Sequence, residues 1–402
     1  MNQTPKDTRS EAENTRDTVG DQSLAASALK RASSVHFRLS DTPGFCDCIE
    51  ADNAKRIKDY LRASLQMQHL AILCGSGTSV EAGGPSMPDL WKEANLIDDF
   101  QIARNAIAYQ NGSDIEEFLS RCDAFSELNP DHEVVPSVRK SIIEMILLKC
   151  RFPFTDPSKL AAHQDLLKKV ARRRVRDSRV KLFTTNYDLC FERAAADLGL
   201  VPIDGFSFGH PRRFDPQFFD FDIVKRGIGF DKASFVSGVF QYYKLHGSVD
   251  WSSTKDRIEI NTNVLSDDAC LIYPARAKFQ RSYQQPHLEL MARYLAALRE
   301  HNTCLVVIGF GFNDAHLSAP ILAAVRANPH FRLIVVSRTI DKKLDSATQG
   351  SALSELRDLT HRADVSFVAS SFADFVALIP DLAALSPAHE LESAVLRVTK
   401  GV

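Results

Sequence analysis

The chain has 402 residues, 44% of them hydrophobic and 25% charged, with a formal net charge of −2 at pH 7. That length buries one large domain or two smaller ones. The near-balance of charge excludes a global attraction to nucleic acid or to an anionic membrane, so direct nucleic-acid contact stays open only as a local patch. No apolar run approaches a membrane span and nothing near the start resembles a signal h-region, which predicts a cytoplasmic protein with no membrane association. The eight cysteines, Cys46, Cys48, Cys74, Cys122, Cys150, Cys190, Cys270 and Cys304, form no Cys-x-x-Cys pair. Reduced structural thiols are expected, and no zinc site.

Residues 1–35 are polar and poor in aromatics, burying too little to offset their ordering entropy, and read as a disordered tail. Helical spacing over Ile49 to Leu65 leads into a short apolar strand, His69 to Cys74. Gly75-Ser76-Gly77-Thr78-Ser79 follows directly, and Gly84-Pro85 comes soon after. Strand, glycine-rich turn and helix is the order that aims backbone N–H groups at a phosphate. Gly75 and Gly77 would allow close approach, while Ser76, Thr78 and Ser79 add hydroxyl donors. No Gly-Lys-Ser/Thr follows, so this is not a Walker P-loop, and the third glycine comes too late for the dinucleotide fingerprint. A structural glycine turn accounts for the same residues.

Residues 90–178 read as a helical insertion between two strands of one sheet. Ile115, Phe118, Leu119 and Cys122 keep helical spacing, as do Ile142, Ile143, Ile146, Leu147 and Cys150. The insertion ends in a basic run, Lys168, Lys169, Arg172, Arg173, Arg174, Arg176, Arg179 and Lys181. The run is either a solvated helix face or a patch for phosphate or a partner. An apolar strand, Val180 to Phe183, then opens into Thr184-Thr185-Asn186-Tyr187-Asp188 and an alanine-rich helix, Leu189 to Leu198, closed by Gly199. An asparagine at a strand's carboxyl end can hold a sugar hydroxyl or a water, since it donates and accepts at once. An Asx-type cap on the next helix would use the same residues.

The aromatic-rich stretch 203–240 takes no clear assignment. Gln241 to Trp251 reads as another strand ending in a polar turn, with His246 before Gly247-Ser248. A lone histidine is commonly structural, yet this placement also suits catalysis. A short β-rich excursion covers Trp251 to Tyr273, and a helix is predicted from His287 to Leu298. The strand Cys304 to Ile308 empties into Gly309-Phe310-Gly311-Phe312-Asn313-Asp314, and the strand Arg332 to Val336 ends at Ser337-Arg338. Val365 to Ala369 is the last strand, before a helix from Ser371 to Leu378. This alternation predicts an α/β fold, a Rossmann-like, doubly wound and mostly parallel sheet with a helical insertion. Polar clusters at four strand ends predict one shared crevice.

Taken together, Gly75-Ser76-Gly77-Thr78-Ser79, Thr184-Thr185-Asn186-Tyr187-Asp188, Leu245-His246-Gly247-Ser248-Val249-Asp250-Trp251 and Ile308-Gly309-Phe310-Gly311-Phe312-Asn313-Asp314 resemble the sirtuin superfamily. The likeness is to the bacterial sirtuin-like (Sir2-like) domains of antiphage defence systems and covers roughly residues 60–380. It implies that 36–402 form one NAD-binding hydrolase domain. It also implies Asn186 and His246 as the catalytic pair, with Gly75, Ser76, Gly77, Thr78 and Asp188 binding NAD, and Gly309, Phe310 and Ser337 holding the adenosine half. The sequence departs from protein-deacylating sirtuins in lacking their paired cysteines, and in having Leu90-Trp91 after Pro88-Asp89. The implied activity is hydrolysis of NAD to nicotinamide and ADP-ribose without metal. Alternatives are an NAD-dependent deacylase or ADP-ribosyltransferase, or a non-catalytic NAD or ADP-ribose sensor. A chain of this size leaves no room for a fused sensor, so control is expected from a homo-oligomer and a separate partner. A HerA-type ATPase is favoured there over an Argonaute-like protein.

Overall fold

The computed structural model describes residues 35–382 except 153–155, 172, 174–176, 227–232, 255–256 and 272–285. The expected tail, 1–35, lies almost wholly outside the described residues. In chain order the first strands are β1 (His36–Arg38), β2 (Cys46–Asp47), β3 (His69–Cys74), β4 (Lys181–Thr184) and β5 (Val201–Ile203). Next come β6 (Val224–Arg226), β7 (Ala233–Phe235), β8 (Val239–Lys244), β9 (Gly247–Thr254), β10 (Arg257–Ile260) and β11 (Ala269–Leu271). The last three are β12 (Thr303–Ile308), β13 (Arg332–Val336) and β14 (Asp364–Ala369).

Nine strands form one sheet in the order β2-β1-β14-β13-β12-β3-β4-β8-β5. The pairs from β14 through β5 are all parallel, and β1 and β2 add an antiparallel edge. The chain leaves β3 toward β4, β8 and β5, then returns to lay β12 against the other side of β3 and continues to β13 and β14. That reversal is the topological switch point at which open α/β sheets hold ligands. Register makes the strand ends level: Cys74 pairs with Ile308 on one side and Thr184 on the other, Thr184 with Lys244, and Ile308 with Val336. Four loops therefore begin at one height.

Side-chain alternation divides the core between the two faces. From β3, Ala71 and Leu73 join Phe183, Tyr243, Leu305 and Val307 on one face. On the other, Leu70, Ile72 and Cys74 join Leu182, Tyr242, Val306 and Ile308. The residues 203–240 that took no assignment begin at the end of the edge strand β5 and supply a 3-10 turn at Pro216–Asp220 and the antiparallel pair β6–β7. The β-rich excursion is a three-stranded sheet, β10-β9-β11, beginning at Gly247.

The helical block divides differently from its expected span. Helices Met87–Ala94, Phe100–Ala106, Ile115–Leu128 and Val134–Cys150 share a core of their own. That core includes Tyr187 and Val249, so the block rests on the loop after β4 and on strand β9. Helix Ala161–Val170 instead buries Leu166, Leu167 and Val170 against the sheet, as a crossover between parallel neighbours must. The described basic side chains are largely engaged internally. Lys169 Nζ donates to the carbonyls of Val376 and Ile379 at 2.6 Å each, Arg173 reaches the Met67 carbonyl, and Arg179 pairs with Asp222 at 2.8 Å. Arg172, Arg174 and Arg176 lie outside the described residues. All eight cysteines are unpaired, and among the described residues no helix is long and apolar enough to cross a membrane.

Candidate active site

The glycine turn after β3 and the loop after β12 pack directly on each other. Gly75 N–H donates to Ile308 O at 2.9 Å, and Gly77 N–H to Gly309 O at 3.0 Å. A Cβ on Gly75 would lie 2.6 Å from Gly309 O, and one on Gly77 would lie 2.7 Å from Gly309 Cα. Gly309 itself has φ +65°, open to glycine at little cost. The close approach expected at Gly75 and Gly77 is thus made to protein backbone. Thr78 and Ser79 N–H groups are also occupied, by Gly75 O and Ser76 O at 3.0 Å each. Instead of running into a long helix, the turn closes as a single 3-10 turn, Ser76–Thr78, and the next helix starts at Met87.

Asn186 is built into this turn. Its Nδ2 lies 3.0 Å from Gly75 O, 3.2 Å from Thr78 Oγ1 and 2.8 Å from Ser79 Oγ. Gly75 O can only accept, which fixes the amide so that its remaining pole is the acceptor Oδ1. Asp188 accepts from the Ser79 hydroxyl at 2.6 Å and from Cys190 N–H at 3.0 Å, so it both ties the two loops together and opens the next helix. Beneath them, Lys244 at the end of β8 is 3% exposed. Its ammonium donates to the carbonyls of Tyr187 and Asp188 and to Glu192 Oε1, the last at 2.8 Å. Burial would lower the Lys244 pKa, but the carboxylates of Glu192, Asp250 and Asp188 outweigh it and raise it. Lys244 therefore stays charged and holds the Asn186 turn from below.

His246 lies at the head of the loop after β8, with Nε2 3.3 Å from Asp314 Oδ2. The approach is close but not that of a well-directed hydrogen bond, since Oδ2 has no partner of proper hydrogen-bond geometry. Asp314 also caps helix Ala315–Ala327, accepting from His316 N–H at 2.8 Å. Burial pushes the Asp314 carboxyl up, but the His246 contact and the His316 N–H outweigh it and hold it below the usual range. It is an anion that can orient the imidazole. Glu116, in the first turn of helix Ile115–Leu128, is opposite in character. Burial, then the charges of Asp114 and Asp314, push its carboxyl well above the usual range.

These groups line one crevice of two lobes. The larger lobe, about 520 Å³, is lined by Asn186, Asp188, His246, Gly309, Phe310 and Asp314, and by Asp114, Glu116 and Cys150 from the helical block. Burial pushes the Cys150 thiol up to about 12, so it is no thiolate nucleophile. The smaller lobe, about 290 Å³, is lined by Ser76, Gly77, Gly309, Ser337, Arg338 and Ser370, with no carboxylate. Ser76, Gly309 and Lys343 line both. Of the residues expected at the site, Gly75 and Thr78 line neither lobe. They stand one layer back, where they set Asn186. Among the described residues no group of three or more His, Cys, Asp and Glu side chains is placed to hold a metal.

Residues 180–357 match the family model of a SIR2-like domain. The SIR2-like stretch begins just before β4 and contains Asn186, His246, Asp314 and Ser337, but not β3 with its glycine turn, nor the helical block. No curated protein matches the chain. Among solved structures, a Sir2 homologue in complex with NAD is 14% identical over 80% of this chain and 91% of its own, with a TM-score of 0.41. A mutant Sir2 homologue with 2′-O-acetyl ADP-ribose is 13% identical, over 81% of this chain and 96% of its own, also at 0.41. A third, a mutant with ADP-ribose, is 12% identical at 0.40, over 84% and 98%.

Asp314, Glu116, Lys244 and Lys343 were not singled out as site residues from the sequence. Asp314 stood inside a recognised motif, and an Asp opening an apolar helix reads simply as an N-cap. Nothing in the local sequence around Glu116, Lys244 or Lys343 sets them apart.

Proposed function

We propose that the protein is an NAD hydrolase, cleaving the bond between nicotinamide and ribose to give nicotinamide and ADP-ribose. The observation that carries this reading is the His246–Asp314 pair opening into the same lobe as an asparagine whose amide is locked by Gly75 O. Breaking the C1′–N bond returns the electron pair to the pyridinium nitrogen, so nicotinamide leaves neutral and needs no proton. Positive charge builds on the ribose instead. A lobe edged by the carboxyls of Asp114, Asp188 and Asp314 suits that charge. Asn186 Oδ1 would orient a ribose hydroxyl or the attacking water. His246 would take the proton that water releases on adding to C1′, and Asp314 would stabilise the imidazolium so formed. The SIR2-like match over 180–357 and the NAD and ADP-ribose complexes among similar folds agree with such a ligand.

The chemistry uses an amide, an imidazole and three carboxyl-bearing loops, and calls for no metal. In this reading Ser76, Gly77, Gly309, Phe310 and Ser337 line the path of the dinucleotide, with Gly75, Thr78 and Asp188 holding the loops that do so. In this reading the activity lies in the cytoplasm, where depletion of NAD would stop an infected cell; the resemblance to antiphage systems supports it. An unrestrained hydrolase would harm its host, so activity would be gated by homo-oligomer assembly or a separate partner, a HerA-type ATPase ahead of an Argonaute-like protein.

The test is product analysis by mass spectrometry after incubation with NAD, alone and with the product of a neighbouring gene. Free ADP-ribose without an acceptor is expected. Asn186→Ala and His246→Ala, checked for folding by circular dichroism, should each lose about 10²–10⁴ in rate. Either variant, folded and turning over at the wild-type rate, would refute the assignment. ADP-ribose attached to protein, or dependent on an acyl-lysine, would replace hydrolysis with transfer or deacylation.

A further inference from the structure

Along the crevice the charges are divided. The larger lobe collects the carboxyl groups of Asp114, Glu116, Asp188 and Asp314, whereas the smaller has none. A ligand that is cationic at one end and anionic in its middle matches this division, but its anionic part needs compensation where the lobes join. In dinucleotide folds that compensation comes largely from N–H groups of the glycine turn. Here the N–H groups of Gly75, Gly77, Thr78 and Ser79 are all bonded to backbone carbonyls. Of the turn's N–H groups that leaves a diphosphate the one of Ser76, which lines both lobes.

Besides His246, two basic side chains line the crevice, Arg338 and Lys343. Arg338 is already paired with Glu81 at 3.1 Å. Lys343 projects from helix Ile340–Asp345 and lines both lobes, beside Ser76 and Gly309. Among the described residues no carboxylate pairs with it. We infer that Lys343 is the diphosphate-binding residue of this crevice, a side-chain cation standing in for the N–H groups that the packing of the two glycine loops has taken. The inference rests on the dinucleotide reading of the site. It assigns the charge compensation of the diphosphate to the segment after β13, beside the Ser76 N–H of the turn after β3.

The test is calorimetric binding of ADP-ribose to the full chain and to three variants, with hydrolysis of NAD followed separately. Lys343→Met should bind ADP-ribose about ten-fold more weakly, the scale of one charge-assisted contact at an exposed site, with a shallower salt dependence. Lys343→Arg should keep most of the affinity. Lys342→Met removes the same charge one residue away, outside the lining of either lobe, and should bind as the wild type does. Equal affinity of Lys343→Met and wild type overturns the inference, as does an equal loss in Lys342→Met, which would reduce the effect to net charge. If wild type binds ADP-ribose with the expected contrast among variants but does not cleave NAD, the hydrolase reading fails while this one stands. If wild type does not bind ADP-ribose at millimolar concentration, both fail.

Discussion

Replacing Lys244 by methionine isolates the support beneath the Asn186 turn. The substitution keeps the length of the stem and removes one buried ammonium with three partners, the carbonyls of Tyr187 and Asp188 and the Glu192 carboxylate. Leaving a buried partner charge uncompensated costs about 3–5 kcal/mol. Glu192 has an escape, however. Burial already pushes its carboxyl up to about 7 despite the opposing Lys244 charge, and Tyr242 Oη donates to its second oxygen at 3.1 Å. Because that folded value lies above the ordinary 4.5, Glu192 favours the native state at low pH, and this contribution is lost as pH rises from about 4.5 to 7. Without Lys244 the value climbs further, so at pH 6 the variant can neutralise Glu192 and at pH 8 it does so only at greater cost. Urea unfolding should therefore show a loss of about 2 kcal/mol at pH 6 and about 3–5 kcal/mol at pH 8. Adding Glu192→Gln should recover part of the pH 8 deficit. A Lys244→Met protein as stable as wild type at both pH values would refute the reasoning, and equal losses at both would refute the part assigned to Glu192.

Gly309→Ala places a methyl 2.7 Å from Gly77 Cα at a positive φ, so it should lower thermal stability by more than about 1 kcal/mol and abolish NAD cleavage by separating the two loops. His163 is buried between Phe191 and Phe372 with both ring nitrogens unpartnered, and burial pushes its pKa down to about 4. Because the folded value lies below the ordinary 6.5, native stability should fall as pH drops from about 6.5 to 4. His163→Phe should unfold at higher urea than wild type, by about 1–2 kcal/mol more at pH 5 than at pH 7.5. Finally, cleavage should persist in EDTA, and metal analysis should find no stoichiometric zinc; one zinc per chain would reopen deacylase chemistry.

The strands and the helices that follow them were legible because their signals are local. Leu70 to Cys74 is a continuous apolar run, and Ile115, Phe118, Leu119 and Cys122 repeat at helical spacing; all four are buried. Edge elements carry no such signal: β1, β2 and β5 are two or three residues long and owe their conformation to the neighbour they pair with. The sequence by itself also determined that polar turns containing Asn186, His246, Gly309 and Ser337 follow strands. Only the tertiary structure decided what those turns do to one another. Parallel register makes the strand ends level, and the switch point brings Gly75 and Gly77 against Gly309, where the glycines serve backbone contact. His246 and Asp314 meet although they come from different strand loops, and Glu116 and Lys343 reach the crevice from helices whose own spacing gives no hint of it. Periodicity reports which face of an element is buried, because burial follows from the repeat of a single helix or strand. Which two polar ends share a cavity depends on strand order, a long-range property that no short stretch of the chain encodes.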